Sequence, residues 1–347
     1  MRVAVYDPYL DTLGGGEKYI LAICSNYLKN GHSVDILFDK DLNLLDIKKR
    51  FNLPLEGLSL VKINLNSLGL LAKYQFLRKY DHYLHLSDGS IPIPMASKNY
   101  IHFQVPFSKI KPTIIDKIKL KLFDSVIVNS KFTKKVIDNT YSVNSEVLYP
   151  PVTLFKKSNK KNIIISIGRF DAVLNSKRQD ILIEAFKILS KKNRHFSLYL
   201  VGGISDKDLI HLDQLKSKAR GYKIKFFPNL SFTELSKLIS ESKVYWHATG
   251  FECKESDSEY FEHFGISILE ASSSGSVPIV YDGGGPKEYI LEKNNGLFFT
   301  TAEMLAVKTL ELIYNPKLFL QMSKSAQTTA KKYSVSEFNK NVEKIFS

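Results

Sequence analysis

Strand-length apolar runs and helix-length amphipathic stretches alternate along this chain, stop at Pro150-Pro151, and then start again. RVAVY reads as a buried strand, GEKYILAICSNYLKNG as a helix ended by Gly31, and SVDILF as a second strand. HYLHL, NYIHF and SVIVN follow as strands, with the helical patterns LGLLAKYQFLRKY and TIIDKIKLKLF among them. Such alternation predicts an α/β fold with a mainly parallel sheet covered on both faces. Two consecutive prolines cannot sit in a central strand, and a lysine-rich polar stretch follows, so a domain linker is expected at about 150–161. The alternation then resumes with strands IIISIG, FSLYLVG, YKIKFF, VYWHA and VPIVY, separated by helical patterns, and the chain closes on helices. The expected architecture is two doubly wound halves that face one another. Ligands of such sheets bind outside the carboxyl ends of the strands, at the switch point, which puts the site in the cleft between the halves.

Composition narrows the class. A length of 347 residues allows about two domains of roughly 150 residues. The opening MRVAVYDPYL has no basic segment followed by an apolar core, and no apolar run approaches the ~18 residues of a membrane span. Two cysteines, Cys24 and Cys253, build neither a disulfide framework nor a zinc site, so a reducing, cytoplasmic setting is expected. The net charge of +14 suits anionic partners, although a lysine-rich solvated surface accounts for it equally well. No aromatic-basic platform supports nucleic acid as a partner.

Five stretches carry possible chemistry. In DTLGGGEKY, Gly14, Gly15 and Gly16 follow the first strand and open a helix, whose bare amides suit a phosphate. The glycines are not spaced as in a dinucleotide fingerprint, which weighs against a nicotinamide site built with Asp39. In SIGRFDAVLNSKRQD, Arg169 leaves a strand at its carboxyl end, and Lys177 and Arg178 follow a loop. A guanidinium fork and a point charge could offset a leaving diphosphate. In YFEHFGISILEASSSG, a helix is expected to begin near Phe264, with Glu262 before it and Glu270 inside it among apolar neighbours. A carboxylate so placed needs partners such as ribose hydroxyls, whereas an acid at a helix start plus a solvated Glu270 is the plainer alternative. In NYIHFQVPF, His102 ends a strand, as a structural or a catalytic histidine. Over residues 108–123, lysines 109, 111, 117, 119 and 121 interleave with Ile114, Ile115, Ile118, Leu120 and Leu122. That pattern fits an interfacial basic segment or an ordinary helix packed on its own sheet.

Taken in order, GGGEKYILAICSNYLKNGHSVDIL, NSKFTKKVI, YPPV, SIGRF, KRQDILIEAF, EHFGISILEA and GSVPIVYDGGGPKEYI resemble the family-4 (group 1) retaining glycosyltransferases of the GT-B fold. The resemblance covers nearly the whole chain, and its most specific element is glutamate, seven residues, glutamate around Phe-Gly after IGRF. It implies an N-terminal Rossmann-like acceptor domain at 1–152 and a C-terminal nucleotide-sugar donor domain at 160–328. The final helix, about 331–347, is expected to pack back on the first domain.

The resemblance also implies roles. Gly15 and Gly16 lie near the donor diphosphate, which Arg169 and Lys177 grip. Glu262 stands near the transferred sugar and Glu270 binds the nucleotide ribose. The amides of His263, Phe264, Gly265 and Ile266 reach sugar and phosphate, and His102 lines the sugar and acceptor site. No cofactor and no metal are implied, since Arg169, Lys177 and helix amides can hold the leaving charge. The chain departs from the family pattern in three places. The loop from Arg169 to Lys177 is long, which leaves Arg178 as an alternative partner of the diphosphate. His263 stands where many members have Gly or Pro, and EHFGI resembles the subset that extends lipid-linked saccharides. An insertion over 252–260 precedes the motif. The expected activity is retaining hexosyl transfer from a nucleotide diphosphate-sugar to a saccharide or lipid-linked saccharide in envelope or glycan synthesis. The enzyme would be cytoplasmic or peripheral on the inner face of an anionic membrane. Another GT-B enzyme, a glucan synthase or phosphorylase, or a non-catalytic sugar-nucleotide-binding subunit are the alternatives.

Overall fold

The structure, a computed structural model, describes residues 1–171 and 177–347, with the backbone alone at 49 and 50. The chain divides into two compact units, Met1–Pro151 with Ser336–Ser347, and Val152–Val335.

The first unit runs β1 (Arg2–Tyr6), α1 (Gly15–Lys29), β2 (Ser33–Phe38), α2 (Leu44–Phe51), β3 (Leu58–Lys62), α3 (Leu70–Leu77), β4 (His82–Leu86), β5 (Lys98–Phe103), α4 (Ile114–Leu120), β6 (Ser125–Val128), α5 (Lys131–Tyr141) and β7 (Glu146–Val147). Its strands form one seven-stranded sheet in the order β3-β2-β1-β4-β5-β6-β7. Every described pairing in it is parallel. Strands of such a sheet are covered on both faces, which is why VAV of β1 is a continuous apolar run and even the histidines of β4 are buried. On one face α1 buries Tyr19, Ile20, Ile23 and Tyr27 over Val3, Val5, Val34 and Ile36. On the other, Ile101, Phe103 and Val128 pack against Leu120 of α4 and Ile137 and Tyr141 of α5.

The second unit runs β8 (Lys161–Ile167), α6 (Gln179–Lys192), β9 (Ser197–Gly202), α7 (Leu209–Lys218), β10 (Ile224–Pro228), α8 (Phe232–Glu241), β11 (Ser242–His247), α9 (Ile266–Ser273), β12 (Val277–Tyr281), β13 (Leu297–Phe299), α10 (Ala302–Tyr314) and α11 (Pro316–Lys331). Its parallel sheet has the order β10-β9-β8-β11-β12-β13. Trp246 is its largest fully buried side chain, and the indole Nε1 donates to Thr309 Oγ1 at 3.0 Å. The last helix, α12 (Val335–Ile345), returns to the first unit. Phe338 meets Tyr19 edge-on at 5.6 Å, and Phe346 meets Tyr100 at 4.7 Å.

Each unit by itself is therefore Rossmann-like. In the second, the strand order reverses between β8 and β11, and in the first between β1 and β4. The carboxyl ends of these four strands are where a doubly wound sheet binds its ligands. Strands β3, β7 and β13 and helices α2 and α5 are absent from the sequence reading above. The strands are short or edge elements without a continuous apolar run, and the helices LLDIKKRF and KFTKKVIDNTY interrupt their apolar positions with charges.

Candidate active site

At the switch point of the second unit, β8 delivers Gly168 and Arg169, and β11 delivers His247. The helix expected near Phe264 begins at Ile266 instead, because Gly265 takes φ 90°, a left-handed turn that caps α9. A side chain at Gly265 would lie 2.6 Å from Ile268 Cδ1 and 2.8 Å from Tyr289 Oη, so only glycine makes this turn. Tyr289 Oη donates to the Phe264 carbonyl at 2.7 Å and fixes it. The glycines of DGGGP have a similar reason. The Gly285 amide donates to the Glu262 carbonyl at 2.7 Å, and a Cβ at Gly285 would collide with the His263 carbonyl oxygen.

This frame holds Glu262. Its Oε2 accepts from Lys177 Nζ at 2.7 Å and lies 2.7 Å from His247 Nε2. Both contacts fall on the same oxygen. Burial alone would raise the acid, but Lys177 and His247 outweigh it, and Glu262 is held well below the usual carboxylate range. His247 is 2% exposed, and desolvation lowers its pKa despite the adjacent carboxylate. At neutral pH it is uncharged, and its Nε2 sits 2.7 Å from the carboxylate without the alignment of a made hydrogen bond. Tyr245, two residues earlier on β11, shares its Oη with Ser267 Oγ at 2.7 Å and donates to the Ile167 carbonyl at 3.3 Å. The ends of β8 and β11 and the first turn of α9 are thereby tied together.

The cations differ in what they already hold. Arg169 is exposed, and among the described residues no carboxylate pairs with its guanidinium. Lys177, expected to be a free point charge for the diphosphate, is instead engaged with Glu262, its stem laid across Gly168 where a Cβ would not fit. Arg178 is committed more firmly: Nη1 donates to the Phe251 carbonyl at 2.6 Å, and the fork pairs with Asp180 at 3.2 Å and Glu252 at 3.4 Å. Arg178, the alternative partner of the diphosphate, thus already has three partners of its own where Lys177 has Glu262. The loop 172–176 that separates these cations from Arg169 lies outside the described residues.

Glu270 is 8% exposed, inside α9 beside buried Leu269 and Ala271, not on a solvated face. His263 turns its ring away to donate from Nε2 to the Glu259 carbonyl at 3.1 Å, and Phe264 is buried edge-on against Tyr289 and Tyr333. Only the backbone of His263 and Phe264 is left to address a ligand. Ile266 opens the helix and is partly exposed.

In the first unit, Gly15 and Gly16 are the first two residues of α1, as expected, but the N-terminus is not bare. Glu17 folds back so that Oε2 accepts from the Gly14 amide at 2.6 Å, and Gln104 Nε2 donates to the Gly16 carbonyl at 3.0 Å. Asp7, just past β1, is fully buried. Its Oδ1 accepts from the Tyr9 amide at 2.9 Å, while Oδ2 has no partner among the described residues. Burial, and then the charge of Glu17, push its carboxyl up to about 8, so it is a neutral acid at pH 7. His102 is corrected from an open strand end to a packed position. It is the penultimate residue of β5, fully buried, with Tyr19 of α1 edge-on at 4.8 Å. Neither ring nitrogen has a partner among the described residues, and desolvation lowers its pKa to about 3.

Helix α4 presents apolar side chains on both sides. Leu120 and Phe123 pack inward, yet Ile114, Ile115, Ile118 and Leu122 are 79%, 64%, 55% and 55% exposed. Among the described residues no helix is long and apolar enough to cross a membrane, and no three His, Cys, Asp or Glu gather as for a metal ion. The residue that the sequence reading missed is His247. It ends VYWH, so the strand-end criterion that selected His102 applied to it equally.

Among proteins of known activity, the chain is 25% identical over 295 residues to the GDP-Man:Man(3)GlcNAc(2)-PP-Dol alpha-1,2-mannosyltransferase of Dictyostelium discoideum, covering 75% of this chain and 56% of that one. It is 29% identical over 253 residues to the human protein of the same name, covering 64% of this chain and 49% of that one. The chain thus spans about half the length of these relatives. Among solved structures, Anabaena Alr3699/HepE in complex with UDP and glucose superposes with a TM-score of 0.74 at 16% identity, covering 100% of this chain and 99% of that one. A glycosyltransferase from Rickettsia africae ESF-5 gives 0.76 at 18% identity, covering 100% and 98%. These likenesses establish the fold as the GT-B arrangement of two Rossmann-like units. Residues 154–329, which contain the whole Glu262 constellation, match the sequence model described as Glycosyl transferases group 1, and the chain belongs to that family.

Proposed function

We propose that this chain transfers a hexosyl group from a nucleotide diphosphate-sugar to a hydroxyl of a saccharide carried on a lipid, with retention at the anomeric carbon and without a metal ion. The observation that carries the reading is Glu262, a largely enclosed carboxylate kept ionised by Lys177 at the switch point, four residues before α9 begins. Arg169 supplies a planar fork for the diphosphate, and Lys177 joins it from Glu262. Glu270, buried in α9, accepts from the ribose hydroxyls. Gly15 and Gly16 offer their backbone to the diphosphate, whereas His102, fully buried beside Tyr19, has no exposed surface with which to meet the sugar or acceptor. The bond from the anomeric carbon to the leaving phosphate oxygen breaks while the acceptor oxygen bonds to that carbon on the same face. The acceptor's proton passes to the departing diphosphate.

A lipid-linked acceptor is supported by the names of the dolichol-linked mannosyltransferases that the chain resembles. The exposed isoleucines of α4, set among lysines 109, 111, 117, 119 and 121, support seating on an anionic membrane surface. The test offers GDP-mannose, UDP-glucose and UDP-GlcNAc in turn, and measures binding by thermal shift and turnover by release of the nucleoside diphosphate. Arg169→Ala and Glu270→Ala should each weaken binding of the accepted donor at least tenfold, since each removes a charge-assisted contact of about 1.5–3 kcal/mol. Wild-type affinity in both variants refutes the assignment.

A further inference from the structure

We propose that His247 is a positioning residue for Glu262, the fixed donor that keeps this carboxylate aimed when Lys177 leaves it for the donor diphosphate. The inference rests on the reading above and concerns what happens to Glu262 during the cycle. In the structure Oε2 is shared by Lys177 Nζ and His247 Nε2, each at 2.7 Å. The two partners are unequal. Lys177 reaches Glu262 on a flexible four-carbon stem from a position beside Arg169's strand, and an ammonium so mounted is free to follow a stronger anion. His247 has no such freedom. It is the last residue of β11, it is buried, and its ring lies within 18° of parallel to that of Tyr245, which is bonded to both β8 and α9.

A diphosphate at the switch point carries more negative charge than one carboxylate, so it takes Lys177. Glu262 would then be a buried carboxylate deprived of its counterion and free to rotate. His247 Nε2 lies 2.7 Å from Oε2 but is not aligned on it while Lys177 holds that oxygen. Once the lysine leaves, a small turn of the carboxylate completes the Nε2–H bond and holds Glu262 in place, and His247 carries no charge for a phosphate to draw away. Both contacts fall on Oε2, which assigns Oε1 to the sugar. His247 touches neither sugar nor phosphate in this arrangement.

The test uses the full chain and the sugar nucleotide that the wild type turns over. His247→Ala should lower kcat about 100-fold, the cost of a misplaced reacting group, with the KM for the donor and the Kd for the free nucleoside diphosphate changed less than threefold. It should also move the acid limb of the kcat–pH profile to higher pH, because a donor to the Glu262 carboxylate is gone. His247→Gln restores an N–H donor, and should recover at least tenfold of the lost kcat and return the acid limb toward its original place. Both variants are first checked for a cooperative thermal transition. If His247→Ala does not fold, His247→Phe replaces it, as an apolar ring without a donor. Wild-type kcat and acid limb in the donor-less variant overturn the proposal, and so does an equal loss in His247→Gln and His247→Ala. Absence of turnover in the wild type itself refutes the glycosyl-transfer reading, a result distinct from either.

Discussion

Asp7→Asn offers a direct measurement of how much stability this chain gives up just past the end of its first strand. Asp7 is fully buried, and burial together with Glu17 raises its carboxyl from 3.8 to about 8. The native state therefore binds one more proton than the unfolded state between those values. Stability linked to this group is fully present below pH 3.8 and is lost as pH rises through about 8. At pH 7 the acid is held neutral some three pH units above its unfolded pKa, at about 1.4 kcal/mol each, or roughly 4 kcal/mol in all. That is a large share of the 5–15 kcal/mol typical of a folded domain. Asparagine keeps an acceptor for the Tyr9 amide and replaces the protonated, unpartnered Oδ2 with an amide nitrogen of similar size. It does not titrate. In urea unfolding the variant should match the wild type near pH 4 and exceed it by about 4 kcal/mol at pH 7, a difference that grows by about 1.4 kcal/mol per pH unit. Histidines 85 and 102, both lowered to about 3 by burial, destabilise wild type and variant alike below pH 6.5 and cancel in the difference. A difference that does not change with pH, or a variant less stable at pH 7, would show that Asp7 is ionised in the native state and refute the reasoning.

Two further expectations concern other parts of the molecule. Gly285→Ala forces a methyl group onto the His263 carbonyl and strains the amide that holds Glu262, so it should cost about 1–3 kcal/mol in unfolding free energy and reduce turnover more than donor binding. Unchanged stability and kcat would separate the 283–285 loop from the site. Flotation with phosphatidylserine vesicles should be lost when Lys117, Lys119 and Lys121 become glutamate, at about 1 kcal/mol per lysine and thus more than 100-fold in partitioning. Equal flotation would remove α4 from the membrane proposal.

The central strands were legible because both of their faces are buried. RVAVY, HYLHL, IIISI and VPIVY each carry a run that only a covered parallel strand tolerates. LSLVK, EV and LFF were not, since an edge strand or a three-residue strand contributes too little apolar pattern to separate it from a loop. At the site, residue types were readable but their partners were not. Lys177 and Glu262 lie 85 positions apart, and nothing local in either stretch shows that a lysine suited to phosphate already has a carboxylate. Glu17 is a similar case: its place after three glycines marks a helix start, yet only the folded turn shows its carboxylate at the Gly14 amide. His102 was found by position and misjudged in environment, because Tyr19, which covers it, comes from another helix.

The insertion over 252–260 hangs from two backbone carbonyls. Arg178 grips that of Phe251 on the way in, and His263 grips that of Glu259 on the way out. These two grips fix where the segment leaves and rejoins the site. The second grip lies three residues before Glu262, so the point at which the segment returns is set beside the carboxylate. A change in this segment that spares both grips leaves the approach of the chain to Glu262 unaltered, whereas losing either carbonyl's partner loosens it.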